Sequence, residues 1–332
     1  MKQTTIRKLV SLGLLLIFAL IFGFTTDYFF TWKNITTLLR EVSIIGLLAM
    51  GGAFVIIGGG IDLSTGAVLG LSAMIASRLV TDTMLPIFVI VLICVLAGAV
   101  AGVINGLLVA RFGMSEFIGT FATAFIYRAF VYMLAYRTNG HITTKTVTDA
   151  AFRSLGGNIG GVYYMTIVWA LLILVTWFVL RHTRYGTYVY AMGSNRKSAE
   201  FTGINVDKMK VSTFVISSCF SALAGVFLVA WQGSANLSSG EGMNFQAIAA
   251  AVVGGIALTG GRGDTVGVAI GSCFLVMVVN GLYKYGLPTH MQPIFYGVVI
   301  IVMAIFDAIY IRTISKRNIA SKKIASTKGG AA

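Results

Sequence analysis

The chain has 332 residues, of which 57% are hydrophobic and only 11% charged, whereas soluble domains carry about 25% charged residues. A water-soluble globular fold is therefore excluded, and an all-α polytopic membrane protein is indicated. The net charge of +14 is assigned to topology and lipid contact, and no nucleic-acid partner is read from it.

Apolar runs near the roughly 20 residues that cross about 30 Å of hydrocarbon recur along the chain. The first, Leu9 to Phe24, follows Lys2, Arg7 and Lys8 and has no small-residue cleavage pattern. It reads as a retained span, with Tyr28, Phe29, Phe30 and Trp32 at the outer interface. Val42 to Gly59 and Leu63 to Val80 come next, dense in glycine, with Asp62 between them. Two readings of Asp62 stand open: a cytoplasmic turn in which Ser64 and Thr65 cap the next helix, or part of a broken segment lining a cavity.

Leu85 to Ala110 carries Gly98, Gly102 and Gly106 at intervals of four, a spacing that puts small residues on one helix face and lets another backbone approach. Phe117 to Tyr136 contains Arg128, long enough to snorkel outward. Tyr163 to Leu180, Val211 to Trp231, Phe245 to Thr259, Val266 to Tyr283 and Ile294 to Ile311 follow. The device of spaced glycines returns at Gly263, Gly267 and Gly271 in the ninth run. About ten spans result, a count that shifts by one or two if a short run is re-entrant. Asn105, Gln246 and Asn280 lie inside these runs. Each faces either a neighbouring helix, to which it hydrogen-bonds, or a substrate path.

Between the sixth and seventh runs lies a basic polar loop, Arg181 to Lys210, which cannot rest in hydrocarbon. Within it Ser194 and Asn195 are able to cap a short helix, RKSAEFT, and Gly203 stands where a left-handed C-cap is cheapest. So short a helix needs support; it is either a docking element or part of a plain solvated connection. With the N-terminus inside, an even number of spans puts the C-terminus inside too. The cytoplasmic segments then collect most basic residues, among them Arg111, Arg181, Arg184, Arg196, Lys197, Lys208, Lys210, Arg262 and the 313–332 tail. Outer loops keep Lys33, Arg40, Lys145, Arg153 and Lys284. Those loops, chiefly Arg137 to Val162 and Gln232 to Asn244, are too small for a binding domain, so high-affinity capture outside falls to another protein.

Cys94, Cys219 and Cys273 sit in apolar runs and read as buried thiols. There is no GxxxxGK[ST], no HExxH, no cysteine pair and no GxSxG elbow, and His141, His182 and His290 are far apart. No enzyme, metal site or cofactor is expected. A pump-coupled permease, an ion-coupled carrier and a channel remain. Coupled carriers usually keep ionisable groups in mid-membrane, whereas the acids here fall near span ends or in loops.

Five runs carry a resemblance: GGGIDLSTGAVLGLSA (Gly58 to Ala73), GVINGLLVARF (Gly102 to Phe112), TRYGTYVYAMGSNRKSAEFTGINVDKMK (Thr183 to Lys210), SALAGVFLVA (Ser221 to Ala230) and AIAAAVVGGIALTGGRGDTVG (Ala247 to Gly267). From about Phe30 to Asp307 the chain resembles the membrane permeases of bacterial ATP-binding-cassette (ABC) importers for monosaccharides, the ribose, galactose, xylose and arabinose group. The resemblance implies a single permease domain over 1–312 in the inner membrane, with a basic cytoplasmic tail over 313–332. It implies a homodimer, or a pair with a related permease, driven by cytoplasmic ATPase subunits and fed by a periplasmic sugar-binding protein. It assigns ATPase coupling to Gly193, Ser194, Asn195, Ser198, Ala199, Gly203 and Ile204. Alternating access then calls for a polar path, expected at Asn105, Gln246 and Asn280, with Asp62 and Ser64 near the inner gate. The chain departs from the usual pattern at Ser194, where a second glycine is common, and at Ile256 and Ala257, where a Thr-Ser pair or similar is common. A stand-alone ion-coupled carrier is the alternative.

Overall fold

The computed structural model describes residues 2–138, 141–144, 146–302 and 305. The chain opens with helices α1 (Lys2–Thr25), α2 (Trp32–Ile57), α3 (Thr65–Asp82), α4 (Ile87–Ala110) and α5 (Glu116–Leu134). A small antiparallel hairpin, β1 (Tyr136–Thr138) with β2 (His141–Thr143), the short α6 (Ala150–Ser154) and a second hairpin, β3 (Asn158–Ile159) with β4 (Val162–Tyr163), lead into α7 (Tyr164–His182). The remainder is α8 (Arg184–Ser194), α9 (Arg196–Phe201), α10 (Val206–Gln232), α11 (Met243–Val253), α12 (Thr265–Lys284) and α13 (Gln292–Val302).

Six helices, α2, α4, α5, α7, α10 and α12, are long and apolar enough to cross a membrane. The others differ from the expected spans for local reasons. The apolar part of α1, Ser11–Thr25, is short, as are α11 and α13, and α3 carries Arg78 and Asp82 in its last turns. About ten crossings are thus not reached by length and composition. Residues 306–332, which include the expected basic tail, lie outside the described residues, as does Lys145.

Helices α2 and α10 form the interior, with α7, α11 and α12 packed on α2, and with α3 and α4 packed on α10. The α4–α10 contact is made by backbone. A Cβ on Gly102 would sit 2.6 Å from the Phe214 carbonyl oxygen, one on Gly106 2.6 Å from the Val211 Cα, and one on Gly98 2.6 Å from the Ala222 Cβ. The same closeness recurs where Gly271 of α12 meets the end of α11, with its Cβ position 2.5 Å from the Gly254 nitrogen. Gly267 beside it would overlap the Gly254 carbonyl. Gly263 does not belong to this face: it precedes α12, in a turn at φ +127°.

Several expectations are corrected by tertiary packing. Helix α2 begins ten residues before its apolar core because Thr31 caps it, accepting from the Asn34 N–H at 3.4 Å; Lys33 and Arg40 are therefore helical and not in a loop. Phe29 is buried against Phe22 and is no interface aromatic, unlike the exposed Tyr28 and Trp32. Arg128 does not snorkel outward. Its guanidinium turns inward and donates to the carbonyls of Leu237 (3.0 Å) and Ser239 (2.8 Å), tying α5 to the segment before α11.

Candidate functional site

The basic loop contains two helices, where the sequence predicted one. Helix α8, not foreseen, is amphipathic: Thr183 caps it by accepting from the Gly186 N–H at 3.3 Å, and Val189 and Met192 point inward. Asn195, at φ −159°, ends α8 and caps α9, its Oδ1 accepting from the Ser198 N–H at 3.0 Å. Ser194 leaves that cap to Asn195. Beyond α9, Gly203 takes φ +81°, and the Ile204 N–H donates to the Ala199 carbonyl at 3.2 Å, the turn that a glycine C-cap makes cheapest.

The face of α9 is decided by packing. Ala199, only 3% exposed, is buried against Met192 and Val206, so it holds the elbow and faces no partner. Arg196, Lys197, Ser198 and Glu200 face water, and Arg196 bridges Glu200 and Asp207, each at 3.0 Å. Phe201 is 91% exposed at the end of this charged helix. Sequence reasoning missed it; the available signal was an aromatic closing an otherwise polar helix.

The elbow rests on a junction of glycines. A Cβ on Gly193 would overlap the Ile57 carbonyl, which itself accepts from the Gly261 N–H at 2.8 Å. The Cβ position of Gly260 lies 2.7 Å from the Gly59 Cα and 2.8 Å from the Gly193 oxygen. Gly59, Gly260 and Gly261 all hold positive φ, a conformation that L side chains rarely adopt. Three motifs distant in sequence, the end of α2, the end of α8 and the turn after α11, thus touch backbone to backbone. The Tyr190 phenol adds a bond to the Gly263 carbonyl at 2.7 Å. Burial, with Asp264 nearby, pushes that phenol up to about 12. Ile256 and Ala257, the positions that depart from the usual pattern, are buried beside this turn.

Asp62, Ser64 and Asn105 are brought together, in a buried network between α3, α4, α5 and α10. One Asp62 oxygen accepts from the Ser64 N–H (2.9 Å) and hydroxyl (2.6 Å), and the other accepts from the Ser217 hydroxyl at 2.8 Å. Asn105 donates to the Ser64 hydroxyl at 2.7 Å and accepts from Thr123 at 2.6 Å. Of the two open readings, the turn is seen but not the cap: the Ser64 hydroxyl donates to Asp62 and makes no side-chain cap on α3, and the Thr65 hydroxyl has no partner among the described residues. Beside it Lys210 of α10 pairs with Glu116 at 2.7 Å.

Asn280 is elsewhere, accepting from the Asn34 amide at 3.2 Å, which joins α12 to α2. Gln246, one of the expected path residues, opens on a cavity. That cavity, of about 330 Å³, lies between α11 and α13 and is shared with Glu241, Phe245, Gln292 and Tyr296. A larger open cleft of about 900 Å³ lies between the α3–α4 turn and α6, but its acids are engaged: Asp149 caps α6 and Asp82 pairs with Arg78 at 2.8 Å. Among the described residues no cluster of His, Cys, Asp and Glu has the form of a metal site.

Long apolar helices, six of them long enough to cross a membrane, together with a capped polar elbow and a small polar cavity between helices, are the arrangement of a helical membrane protein. Residues 34–304 match the model of the family described as branched-chain amino acid transport system / permease component, and the chain belongs to that family. It is 38% identical over 294 residues to the ribose import permease of Bacillus subtilis, covering 88% of this chain and 90% of that one. It is 35% identical over 299 residues to the ribose import permease of Haemophilus influenzae, covering 89% and 91%. The D-allose transport system permease of Escherichia coli is 33% identical over 307 residues, covering 91% of each chain. These relatives bear out the resemblance to sugar permeases.

Proposed function

We propose that this chain is the membrane-spanning subunit of an ATP-driven ABC importer that takes up a monosaccharide by alternating access. Its relatives of known substrate handle ribose and allose, and an arabinose ABC transporter permease is also 30% identical. In this proposal the chain works in the inner membrane as a homodimer or with a related permease. It crosses about ten times, has both termini in the cytoplasm, and forms one permease domain over 1–312 with a basic tail over 313–332. Cytoplasmic ATPase subunits supply the energy, and a periplasmic sugar-binding protein supplies the substrate.

The observation that carries the coupling role is the exposed aromatic on a braced helix. An exposed Phe in water is unfavourable unless covered, and burying it in a partner groove contributes about 1.5–3 kcal/mol. Asn195, Ala199, Gly203 and Ile204 set the shape of the helix, Ser198 lies on its outer side, and Gly193 and Ser194 join it to the glycine junction. Closure of two ATPases on ATP would pull on α9, and the junction would pass that pull to α2 and α11 without a compliant side chain between.

The test reconstitutes the permease with its ABC ATPase partner. Phe201→Asp should weaken ATPase co-purification about tenfold or more, the equivalent of about 1.4 kcal/mol per decade, with folding intact. Gly203→Val should do the same by straining the left-handed cap. Wild-type association and ATP hydrolysis in both variants would remove the coupling assignment.

A further inference from the structure

We infer that the cavity between α11 and α13 is a low-affinity monosaccharide site on the transport route, contacted by Glu241, Gln246 and Gln292 and walled by Phe245 and Tyr296. This rests on the importer reading and adds the place where the sugar is held in passage.

The first ground is unused bonding capacity. Among the described residues, no protein group hydrogen-bonds the side chains of Glu241, Gln246 or Gln292, although all three border one cavity. Elsewhere in the helical bundle the comparable groups of Asp62, Asn105 and Asn280 are taken up by protein partners. Polar groups in a membrane protein mark a route or find a partner; Gln246 and Gln292, half-buried, and Glu241, exposed at the rim, border the cavity with no protein partner among the described residues.

The second ground is chemistry. Two amides both donate and accept, and a carboxylate accepts twice, which matches adjacent hydroxyls on a neutral ring. Phe245 and Tyr296 supply flat apolar walls for its C–H faces. About 330 Å³ is at the small end of ligand sites, which run from about 300 to 1,000 Å³, and so suits a single ring. Among the described residues no Lys or Arg borders the cavity. A free amino acid, whose carboxylate calls for a cation, is therefore poorly matched, despite the wording of the family description.

The third ground is connection. Gln246 sits in the first turns of α11, an 11-residue helix about 16 Å long. Its other end runs through Gly254 into the turn where Gly260 and Gly261 meet Gly59 and Gly193. One short helix thus joins the cavity to the coupling junction, so a pull on the elbow bears on the site. Glu241 and Phe245 are exposed. Water competes at the rim, which keeps affinity low and lets the sugar leave.

The experiment uses proteoliposomes holding the full permease with its ATPase and binding protein. Uptake of radiolabelled D-ribose, D-allose, L-arabinose, D-fructose and L-leucine is measured first, and the sugar carried best becomes the probe. Gln246→Ala, Gln292→Ala and Glu241→Gln are then compared for sugar moved per ATP hydrolysed, ATPase co-purification and thermal stability. The expected result is a fall of about tenfold in sugar per ATP for the two alanine variants. Stimulated hydrolysis, assembly and stability should stay within about twofold or a few degrees of wild type. Unchanged sugar per ATP in all three variants would overturn the site while leaving the importer reading intact, and so would a loss explained by failed assembly. Wild-type uptake of leucine with none of the sugars would overturn both.

Discussion

Two polar regions of this membrane protein, one buried and one half-exposed, use their bonding groups differently. Around Asp62 the carboxylate and amide are bonded to protein: Ser64 and Ser217 serve the carboxylate, and Asn105 joins Ser64 to Thr123, while the neighbouring buried hydroxyls of Thr65 and Ser218 have no partner among the described residues. Around Gln246 the polar side chains have no protein partner among the described residues and border a cavity. Saturated buried groups hold helices in register, because removing one leaves its partners unpaired at about 1–3 kcal/mol each. Unsaturated ones are free to exchange water for a ligand. The same residue types therefore do structural work in one place and are open to transport in the other.

The strongest way to break this contrast is Asp62→Ala. It strips the acceptor from the Ser64 N–H and two hydroxyls, so a loss of about 3 kcal/mol or more is expected, read as a steep drop in the thermal midpoint of the purified permease. A near-wild-type midpoint would mean the network is not what secures α3 to α10. Gly102→Ile comes next. The seam one turn from Asn105 has no room for a side chain, since a Cβ there already lies 2.6 Å from the Phe214 oxygen, and overpacking of this kind costs about 1–3 kcal/mol. Its signature is lowered stability and disturbed assembly; an unchanged oligomeric state and midpoint would refute the seam. Gln246→Ala should be the smallest in stability, within about 0.5 kcal/mol, because no protein bond is lost. A large destabilisation there would show that Gln246 belongs with Asp62 and would erase the difference between the regions.

Much of the scaffold was legible. The Gly98, Gly102 and Gly106 spacing named a packing face, and α10 occupies it. Asn195 and Gly203 marked the two ends of a short helix, and α9 lies between them. The face of that helix was not legible. Ala199, expected among the coupling residues, is covered by Met192 and Val206, and a charged residue there would disrupt the elbow before it met any partner. Gly263 was drawn into a seam by spacing alone, yet the chain has not entered α12 at that point. Helix α8 was missed because a run with three Tyr and two Gly in eleven residues has weak helix propensity, and the burial of Gly186, Val189 and Met192 is what stabilises it.

Composition and apolar runs, which are local sums along the chain, were enough by themselves to determine that this is a helical membrane protein, where most of its helices lie, and that a polar elbow interrupts them. Motif resemblance added the permease family. Tertiary structure alone decided which polar residues are spent and which are open. Asp62 meets Ser217 across 155 residues, and Asn105 meets Ser64 across 41. Whether a buried group is satisfied depends on atoms that only folding brings within about 3 Å. Gln246 and Asn105 look alike in sequence, and only the presence or absence of such a neighbour separates a group facing the cavity from a fastening between helices.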